Sequence, residues 1–247
     1  MKFTKQYTVR WHDTGADRAV SPSGVLEFMQ ETASLHCRSL GHDLDEMRDR
    51  EGLGFVVTRC SMELLAPLSA QDEITVHTWV PESTGLFFNR CYELRKGEIL
   101  AARAVTVSAL LDLTTRKFLR VSDFDFGFEY EPAVALSDGI PLRLRLPADQ
   151  PLEVVGMRRI VYADLDYNLH MNNTHYPDML ADFLPDRTGR RVENVVVSYL
   201  SEARYGDVLT VSLGIDQNDA SGNVFCLRAS REDGTAVTEA RITAPLL

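Results

Sequence analysis

Apolar and polar residues follow two different periods along the chain, and these periods recur in the same order in both halves. The first half opens with a strand-like segment at 3–11, where the side chains alternate in character. A helix is predicted next, because Ser21 is a good N-cap, Pro22 suits the first helical position and Gly41 suits the end. The residues that keep helical spacing on one face are Val25, Phe28, Met29, Thr32 and Leu35.

The rest of the first half reads as sheet. After a charged connector at 43–51, segments rich in β-branched and aromatic residues alternate with short turns. The predicted strands cover 55–65, 73–80, 85–95, 99–111 and 117–121.

The second half repeats this order. A strand at 156–162 precedes a helix that an Asn172/Asn173 cap opens and Pro185 closes. Pro177 removes a backbone donor near the helix start, so we expect an irregular first turn. The apolar face of this helix comprises Met179, Leu180, Phe183 and Leu184, and the strands after it cover 192–200, 208–216, 224–232 and 236–244.

The two halves therefore predict an internal repeat of α+β class, in which each copy lays one long helix against an antiparallel sheet. The segment 72–76 parallels 207–211, and 9–13 parallels 160–164. A proline-rich stretch of weak periodicity separates the copies. We expect an N-terminal domain at 1–128, a linker at 129–151 and a C-terminal domain at 152–247.

Composition and charge narrow the class of function. The formal net charge of −10 argues against nucleic acid and anionic membranes as partners. No apolar stretch approaches a membrane span, and the first residues lack a secretory signal, so a cytoplasmic location is expected. The four cysteines lack metal-ligand spacing and are expected as free thiols, and no metal or other cofactor is predicted.

The densest chemistry lies at 164–173, which packs two carboxylates, a histidine and three amides into ten residues. Asp166, Asn168 and His170 stand at every second position, so an extended segment would point all three side chains to one side. Helix N-terminal amides could then stabilise an oxyanion, as acyl transfer requires. A polar turn with Asn173 as N-cap explains the same residues, and both interpretations stay open.

This segment and a series of other motifs along the chain resemble those of a known family. They lie at 15–18, 26–33, 56–59, 76–80, 164–173, Tyr176 and 199–203. In this order, over nearly the whole chain, they resemble the acyl–acyl carrier protein thioesterases of plants and bacteria. That resemblance implies two tandem hotdog domains, each an antiparallel sheet wrapped around a long helix.

The resemblance also implies residue roles. Asp166, Asn168 and His170 match the family's Asp-x-Asn-x-His motif, and Glu202 matches its acidic residue on the following strand. The family often has a cysteine directly after that glutamate, but Ala203 stands here, so no thiol nucleophile is available at this position. General-base activation of water by Glu202 or Asp166 is implied instead, and the sequence does not decide between them. Without the resemblance, Glu202 would read as an exposed strand carboxylate.

The first copy has lost these groups. Aligned on the helix starts, Asp17, Arg18 and Ala19 fall where Asn168, Leu169 and His170 stand. The resemblance implies that the first domain houses the acyl chain instead. The candidate substrate-binding residues are Leu26, Phe28, Met29 and Ala33 in the first copy and Asn172 and Asn173 in the second, although an apolar helical stripe is more often plain core.

The implied partner is acyl carrier protein, which is acidic. Because this chain is itself negative, docking would need a local basic surface, for which Arg187, Arg190 and Arg191 are the candidates. A solvated charged loop is the simpler interpretation of the same cluster. A homodimer is compatible with the sequence, which does not determine the oligomeric state.

Three other functions compete with release of free fatty acid from acyl carrier protein. An acyl-CoA thioesterase shares the chemistry and differs only in the thiol that carries the acyl group, which is coenzyme A instead of acyl carrier protein. A hotdog hydratase or dehydratase has two residues between asparagine and histidine, whereas only Leu169 separates Asn168 from His170. A catalytically inactive acyl-binding module would have no reason to keep Glu202 together with the motif.

Overall fold

The structure, a computed structural model, describes residues 2–137 and 140–247. It divides into two compact units, unit 1 at Met1–Ser137 and unit 2 at Asp138–Leu247. The predicted linker at 129–151 includes the end of unit 1 and the start of unit 2, and its residues 138 and 139 lie outside the described part. No helix among the described residues is long and apolar enough to cross a membrane.

Unit 1 is an antiparallel sheet with a long helix against it. In spatial order its strands run β1-β3-β4-β5-β2, and the short β6 pairs with β5. The strand bounds are Phe3–Thr8 for β1, Leu53–Leu64 for β2, Glu73–Trp79 for β3, Phe87–Lys96 for β4, Ile99–Asp112 for β5 and Lys117–Leu119 for β6.

The long helix α1 spans Pro22–Ser39 and confirms the predicted cap. The hydroxyl of Ser21 accepts a hydrogen bond from the amide of Gly24 at 3.2 Å, and Pro22 occupies the first turn, where its missing N–H costs nothing. After the helix ends, Gly41 adopts a left-handed φ of +88°. The helix packs against β1 and β3 through a buried face that includes Leu26 and Met29.

The charged connector at 43–51 is more ordered than predicted. It forms a short helix α2 at Leu44–Glu46 and a π-helical turn at Met47–Glu51. The carboxylate of Asp43 caps α2 by accepting hydrogen bonds from two amides, and the Met47 side chain lies in an apolar cluster with Phe88, Leu110 and Phe126. A single buried methionine in a charged segment gives no periodic signal, so the sequence pattern did not reveal this turn.

Unit 2 repeats the sheet with a much shorter helix. Its strands run β8-β11-β10-β9-β7 in spatial order, all antiparallel. The strand bounds are Glu153–Arg159 for β7, Asn194–Tyr199 for β8, Val208–Ile215 for β9, Val224–Ser230 for β10 and Ala236–Thr243 for β11.

The long helix predicted for this unit is wrong in length. Helix α3 covers only Tyr176–Ala181, and a 3-10 turn at Asn173–His175 precedes it. The irregular first turn expected from Pro177 is therefore confirmed, because proline near the start cannot donate the hydrogen bond that would extend a regular helix.

Equivalent backbone hydrogen bonds confirm the internal repeat. The amide of Val9 donates to the carbonyl of Asp72 at 2.9 Å in unit 1, and the amide of Ile160 donates to the carbonyl of Asp207 at 2.8 Å in unit 2. The same aspartates each accept a side-chain hydrogen bond from an amide three residues earlier. The two copies thus share one hydrogen-bonding scaffold where the first strand of each unit ends.

Packing around Gly214 provides a test of unit 2. A Cβ at this position on β9 would collide with the backbone carbonyl of Pro151, whereas one at Gly189 would lie 3.8 Å from Leu246. We expect Gly214→Ala to destabilise the protein by about 1–3 kcal/mol, because backbone must move to make room. Gly189→Ala is the matched control and should change little. Equal thermal or urea denaturation curves for both variants and wild type would contradict this packing.

Candidate functional site

The segment that the sequence singled out is a tight turn and not an extended strand. The amide of Asp166 donates to the carbonyl of His170 at 2.9 Å, and the amide of Leu169 donates back to the carbonyl of Asp166 at 3.0 Å. Leu169 has a left-handed φ of +63°. The expectation that Asp166, Asn168 and His170 alternate along an extended segment is therefore wrong.

The carboxylate of Asp166 provides the physical reason. Its Oδ1 accepts hydrogen bonds from the amides of Asn168 at 2.8 Å and His170 at 3.4 Å. A short acidic side chain that satisfies nearby amides favours a turn over a strand. Asp166 thus uses one oxygen to hold the loop that carries the other two motif residues.

Asp164 holds the start of the same loop. Its buried carboxylate accepts hydrogen bonds from the amide of Val161 at 2.8 Å and from the guanidinium of Arg158 at 2.6 Å. Its backbone carbonyl accepts from the amide of Asn172 at 2.8 Å. The two carboxylates of the motif segment therefore both contribute to loop geometry.

Backbone pairing brings this loop to the segment that contains Glu202. His170 and Arg204 form an isolated antiparallel bridge, and the amide of Met171 donates to the carbonyl of Ala203 at 2.8 Å. As a result, Nε2 of His170 lies 3.0 Å from Oε2 of Glu202. The two residues that only the family resemblance linked form a close imidazole–carboxylate pair in the structure, called the dyad below.

The dyad is accessible to solvent, and the two oxygens of its carboxylate have different surroundings. Nη2 of Arg204 donates a hydrogen bond to the same Oε2 of Glu202 at 3.2 Å, so two nitrogen atoms lie close to one carboxylate oxygen. Within residues 2–137 and 140–247, the other oxygen, Oε1, forms no hydrogen bond. The side chains of His170 and Glu202 are 28% and 47% exposed. A water molecule or substrate can therefore reach the carboxylate.

Arg231 fixes the segment that carries Glu202, and sequence reasoning missed it. Its guanidinium donates to the backbone carbonyl of Glu202, to the hydroxyl of Ser201 at 3.1 Å and to the carboxylate of Asp207 at 3.2 Å. Arg231 follows strand β10 and belongs to no local motif, so only the fold brings it here.

Ala203, the residue after Glu202, faces the interior and is fully buried. Burial of the neighbouring Tyr176 raises the pKa of its hydroxyl. The ring of Tyr176 packs edge-on against that of Tyr199 at 5.4 Å. The family position that often holds a cysteine is therefore a packing position in this chain.

The two asparagines at the start of the helix have different environments. Asn172, not Asn173, is the N-cap, because its Oδ1 accepts hydrogen bonds from the amide and hydroxyl of Thr174 at 3.1 and 3.0 Å. The carbonyl of Asn173 accepts a hydrogen bond from the Tyr199 hydroxyl at 2.9 Å. Its side-chain Nδ2 is buried, and in the described part of the chain it has no hydrogen-bond partner. Such a donor is costly unless a bound molecule satisfies it.

The first copy has the same turn without the chemical groups. In unit 1 the amide of Gly15 donates to the carbonyl of Ala19 at 2.9 Å, as Asp166 donates to His170, and Arg18 has a φ of +62°. The alignment of Asp17, Arg18 and Ala19 with Asn168, Leu169 and His170 is therefore confirmed by backbone geometry.

The counterpart of Glu202 follows from the next equivalent hydrogen bond. The amide of Val20 donates to the carbonyl of Leu68 at 2.8 Å, as Met171 donates to Ala203. Pro67 thus stands where Glu202 stands in unit 2. The first copy keeps the scaffold and has a proline and a glycine in place of the two carboxylates.

The candidate acyl-binding residues all lie on α1. Leu26 and Met29 are fully buried, and Phe28 and Ala33 are partly exposed. The ring of Phe28 contacts that of Tyr7 at 5.2 Å. Burial of this kind is shared by core residues and by residues that line a pocket, so the substrate-binding role of these four stays a prediction.

The arginines of the cluster mostly form hydrogen bonds and ring contacts within unit 2. The guanidinium of Arg190 donates to the carbonyls of Ala244 at 2.6 Å and Pro185 at 2.8 Å, and it stacks on the ring of Phe225. Arg187 donates to the carbonyl of Arg190 at 3.2 Å. A partner-binding role for Arg187, Arg190 and Arg191 stays a prediction, although two of the three arginines already brace the chain.

All four cysteines are free and buried. Burial raises the pKa of the Cys226 thiol to about 11 and that of Cys60 to about 12, and it also raises the pKa of Cys37 and Cys91. Among the described residues, no group of three or more histidine, cysteine, aspartate or glutamate side chains is arranged to hold a metal ion.

Comparison with known protein families gives two matches. The model of the acyl-ACP thioesterase N-terminal domain matches residues 1–126, and that of the C-terminal domain matches residues 156–243. The second span contains the dyad, the motif loop and Arg231.

Curated relatives are similar over most of this chain. The dodecanoyl-[acyl-carrier-protein] hydrolase of Umbellularia californica is 26% identical, with 97% of this chain and 66% of the relative covered. The palmitoyl-acyl carrier protein thioesterase of Arabidopsis thaliana is 27% identical, with 97% and 63% covered. Across the first matches, the chain spans 55% to 66% of the length of the relatives.

Two solved structures confirm the fold. An acyl-ACP thioesterase from Bacteroides thetaiotaomicron superposes with a TM-score of 0.84 at 19% identity and covers 99% of this chain and 98% of its own. The 12:0-ACP thioesterase of Umbellularia californica superposes with a TM-score of 0.82 at 20% identity, covering 100% and 98%. The predicted tandem hotdog architecture is therefore confirmed.

Thiol chemistry provides a test of this site. Because the four thiols are buried and their pKa values are raised, iodoacetamide at neutral pH should label the native protein slowly and leave the activity of the site unchanged. Intact mass and turnover are measured together, with urea-unfolded protein as the control that labels at all four positions. A stable acyl–cysteine adduct on Cys226, or inhibition in step with labelling, would show that a thiol takes part in the chemistry of the site.

Proposed function

Because the chain belongs to the acyl-ACP thioesterase family, we propose that it hydrolyses the thioester between an acyl group and acyl carrier protein and releases a free fatty acid. The observation that carries this proposal is the 3.0 Å contact between Nε2 of His170 and Oε2 of Glu202. An acyl-CoA thioesterase would use the same dyad. The curated relatives are named for acyl carrier protein substrates, which favours acyl carrier protein over coenzyme A as the carrier of the acyl group.

We propose Glu202 as the general base. Its Oε1 has no hydrogen bond among the described residues and can accept the proton of an attacking water, while His170 and Arg204 hold Oε2 in place. Asp166 is less suited, because its Oδ1 already accepts from two backbone amides. In this division Glu202 performs the proton transfer and Asp166 positions Asn168 and His170.

The reaction then proceeds in two steps. Water loses a proton to Glu202 as its oxygen bonds to the thioester carbon, which gives a tetrahedral oxyanion. When the oxyanion reforms the carbonyl, the carbon–sulfur bond breaks and Glu202 returns the proton to the departing sulfur. The products are a carboxylic acid and the free thiol of the carrier.

Two groups are proposed to position the substrate. Asn168 is exposed in the motif turn and can orient the water or the thioester. Asn173 has a buried Nδ2 that lacks a hydrogen-bond partner in the described part of the chain, and we assign it to the developing oxyanion. Helix α3 has only six residues, so its dipole adds less to oxyanion stabilisation than the sequence suggested.

The remaining assignments follow from the same proposal. The acyl chain would bind in the first domain beside Leu26, Phe28, Met29 and Ala33, and Asn172 would support substrate binding by fixing the start of the helix. The arginine cluster is one candidate contact for the acidic carrier. A cytoplasmic location and a homodimer stay predictions.

Substituting each carboxylate by its amide tests the division of roles between Glu202 and Asp166. Glu202→Gln keeps the shape and removes the base, so kcat should fall by roughly two to four orders of magnitude. Asp166→Asn keeps an oxygen that can accept from the turn amides, so kcat should fall much less. His170→Ala and Asn168→Ala should lower kcat more than they raise KM. Near-normal turnover in both Glu202→Gln and Asp166→Asn would refute this assignment.

Replacing the buried amide of Asn173 should have opposite effects on stability and activity. Asn173→Leu has a similar volume and removes the unpaired donor, so the free energy of unfolding should stay equal or rise. Loss of one oxyanion donor should lower kcat roughly a hundredfold with little change in KM. Urea denaturation and steady-state kinetics on the same preparation check both signs. A fall in stability with normal turnover would show that Asn173 is only structural.

A further inference from the structure

The loops around the dyad expose an unusual number of large side chains. Tyr162, Tyr167, Leu169 and Tyr205 have exposed fractions between 67% and 79%. Two exposed arginines stand on the same loops, Arg159 at the end of β7 and Arg204 beside Glu202. We call these six residues the rim. Scattered exposed apolar residues are normal, whereas several on adjoining loops indicate a contact surface.

Backbone hydrogen bonds join the loops of the rim. The amide of Gly206 donates to the carbonyl of Ile160 at 3.0 Å, and the bridge between His170 and Arg204 joins the motif turn to the same segment. Nη1 of Arg159 donates to the carbonyl of Gly206 at 3.4 Å. The rim is therefore carried by the two segments that hold the dyad and by the end of β7, and backbone hydrogen bonds fix these segments relative to Glu202.

The first copy serves as an internal comparison. The equivalent positions of unit 1 carry Thr8, Trp11, Ala16, Arg18, Ser69 and Ala70. Of these only Trp11 is a large apolar residue, and it is 71% exposed. The same turns therefore fold without the extra tyrosines and leucine, so folding alone does not require them. They occur in the copy that carries the dyad.

Leu169 strengthens this comparison. A bulky residue at a φ of +63° is rare, and this one is also exposed to water. Its counterpart Arg18 has the same backbone geometry with a long polar side chain that water solvates well. Neither burial nor backbone preference explains a leucine at position 169, which leaves contact with a partner.

We propose that the rim is the docking surface for the acyl carrier protein that delivers the thioester. This rests on the proposed function, because the thioester must reach Glu202 while its carrier stays on the surface around it. Tyrosine and arginine are the residue types that dominate the energetics of protein interfaces. In a chain of net charge −10, Arg159 places positive charge where an acidic carrier would approach.

Neighbouring ion pairs leave Arg159 as the local positive charge of the rim, since Arg204 pairs with Glu202 at 3.2 Å. Arg158 pairs with Asp164 at 2.6 Å and Arg231 with Asp207 at 3.2 Å, so those charges compensate each other. Arg159 forms no ion pair with a carboxylate within the described residues. Arg159 is therefore the rim cation best placed to meet a carboxylate of the partner.

The test compares the same acyl group on two thiol carriers. Wild type, the double variant Tyr162→Ala/Tyr205→Ala, and Arg159→Glu are assayed with the acyl group on acyl carrier protein and on pantetheine alone. Each rim variant should raise KM for the carrier substrate about tenfold or more, while kcat/KM for acyl-pantetheine stays within about twofold. Trp11→Ala, at the position of Tyr162 in the first copy, is the matched control and should change neither substrate.

Several outcomes would overturn the rim as docking surface. Equal losses on both substrates would place these residues in the site itself, and no loss on either would make the rim a solvated surface. A carrier-specific loss in Arg191→Glu with normal rim variants would move the docking surface to the arginine cluster. A loss in Trp11→Ala equal to that of the double variant would remove the distinction between the copies.

A binding titration separates this proposal from the proposed function. A carrier protein that bears a non-hydrolysable amide analogue of the acyl group is titrated against wild type and both rim variants. Binding to wild type that both variants weaken about tenfold supports the rim even if hydrolysis is absent. If wild type hydrolyses the thioester but the variants bind the analogue normally, the rim proposal fails and the proposed function stands.

Discussion

The hydrogen bond from the amide of Met171 to the carbonyl of Ala203 is the constraint on which the site depends. It joins the end of the motif turn to the segment after β8, two stretches separated by about thirty residues of helix, loop and strand. Because the adjacent residues are His170 and Glu202, this one backbone contact brings imidazole and carboxylate within hydrogen-bonding distance. Backbone groups that leave water must be paired, so the contact is strongly specified.

The same scaffold in the first copy explains how the chemistry could be lost without loss of the fold. Backbone hydrogen bonds close the turn in both units, whereas the side-chain acceptor differs. In unit 2 the carboxylate of Asp166 accepts from the amide of Asn168, and in unit 1 Asp17 accepts from the amide of Ala19. Since either acceptor satisfies the turn, Gly15 can stand in unit 1 where Asp166 stands in unit 2.

The polar groups of unit 2 divide into those that complete the fold and those that the fold leaves unsatisfied. Asp164, Arg158, Arg231 and Asp207 satisfy one another and nearby backbone atoms. Within the described residues, Oε1 of Glu202 and Nδ2 of Asn173 have no hydrogen-bond partner, and the buried Nε of Arg187 also lacks one. A base and a donor that the protein itself does not satisfy are the groups that a thioester and a water molecule can use.

The sequence by itself determined helix α1, the strands and the identity of the acidic residue. Helix α1 followed from Ser21, Pro22 and Gly41, and the strands followed from their periodicity, because such signals act between residues a few positions apart. Glu202 was found through the family resemblance. Only the tertiary structure decided that Asp166 holds a turn, that Arg231 braces Glu202, and that Pro67 is the counterpart of Glu202. Those roles depend on hydrogen bonds between residues far apart in the chain, and local patterns contain no record of such partners.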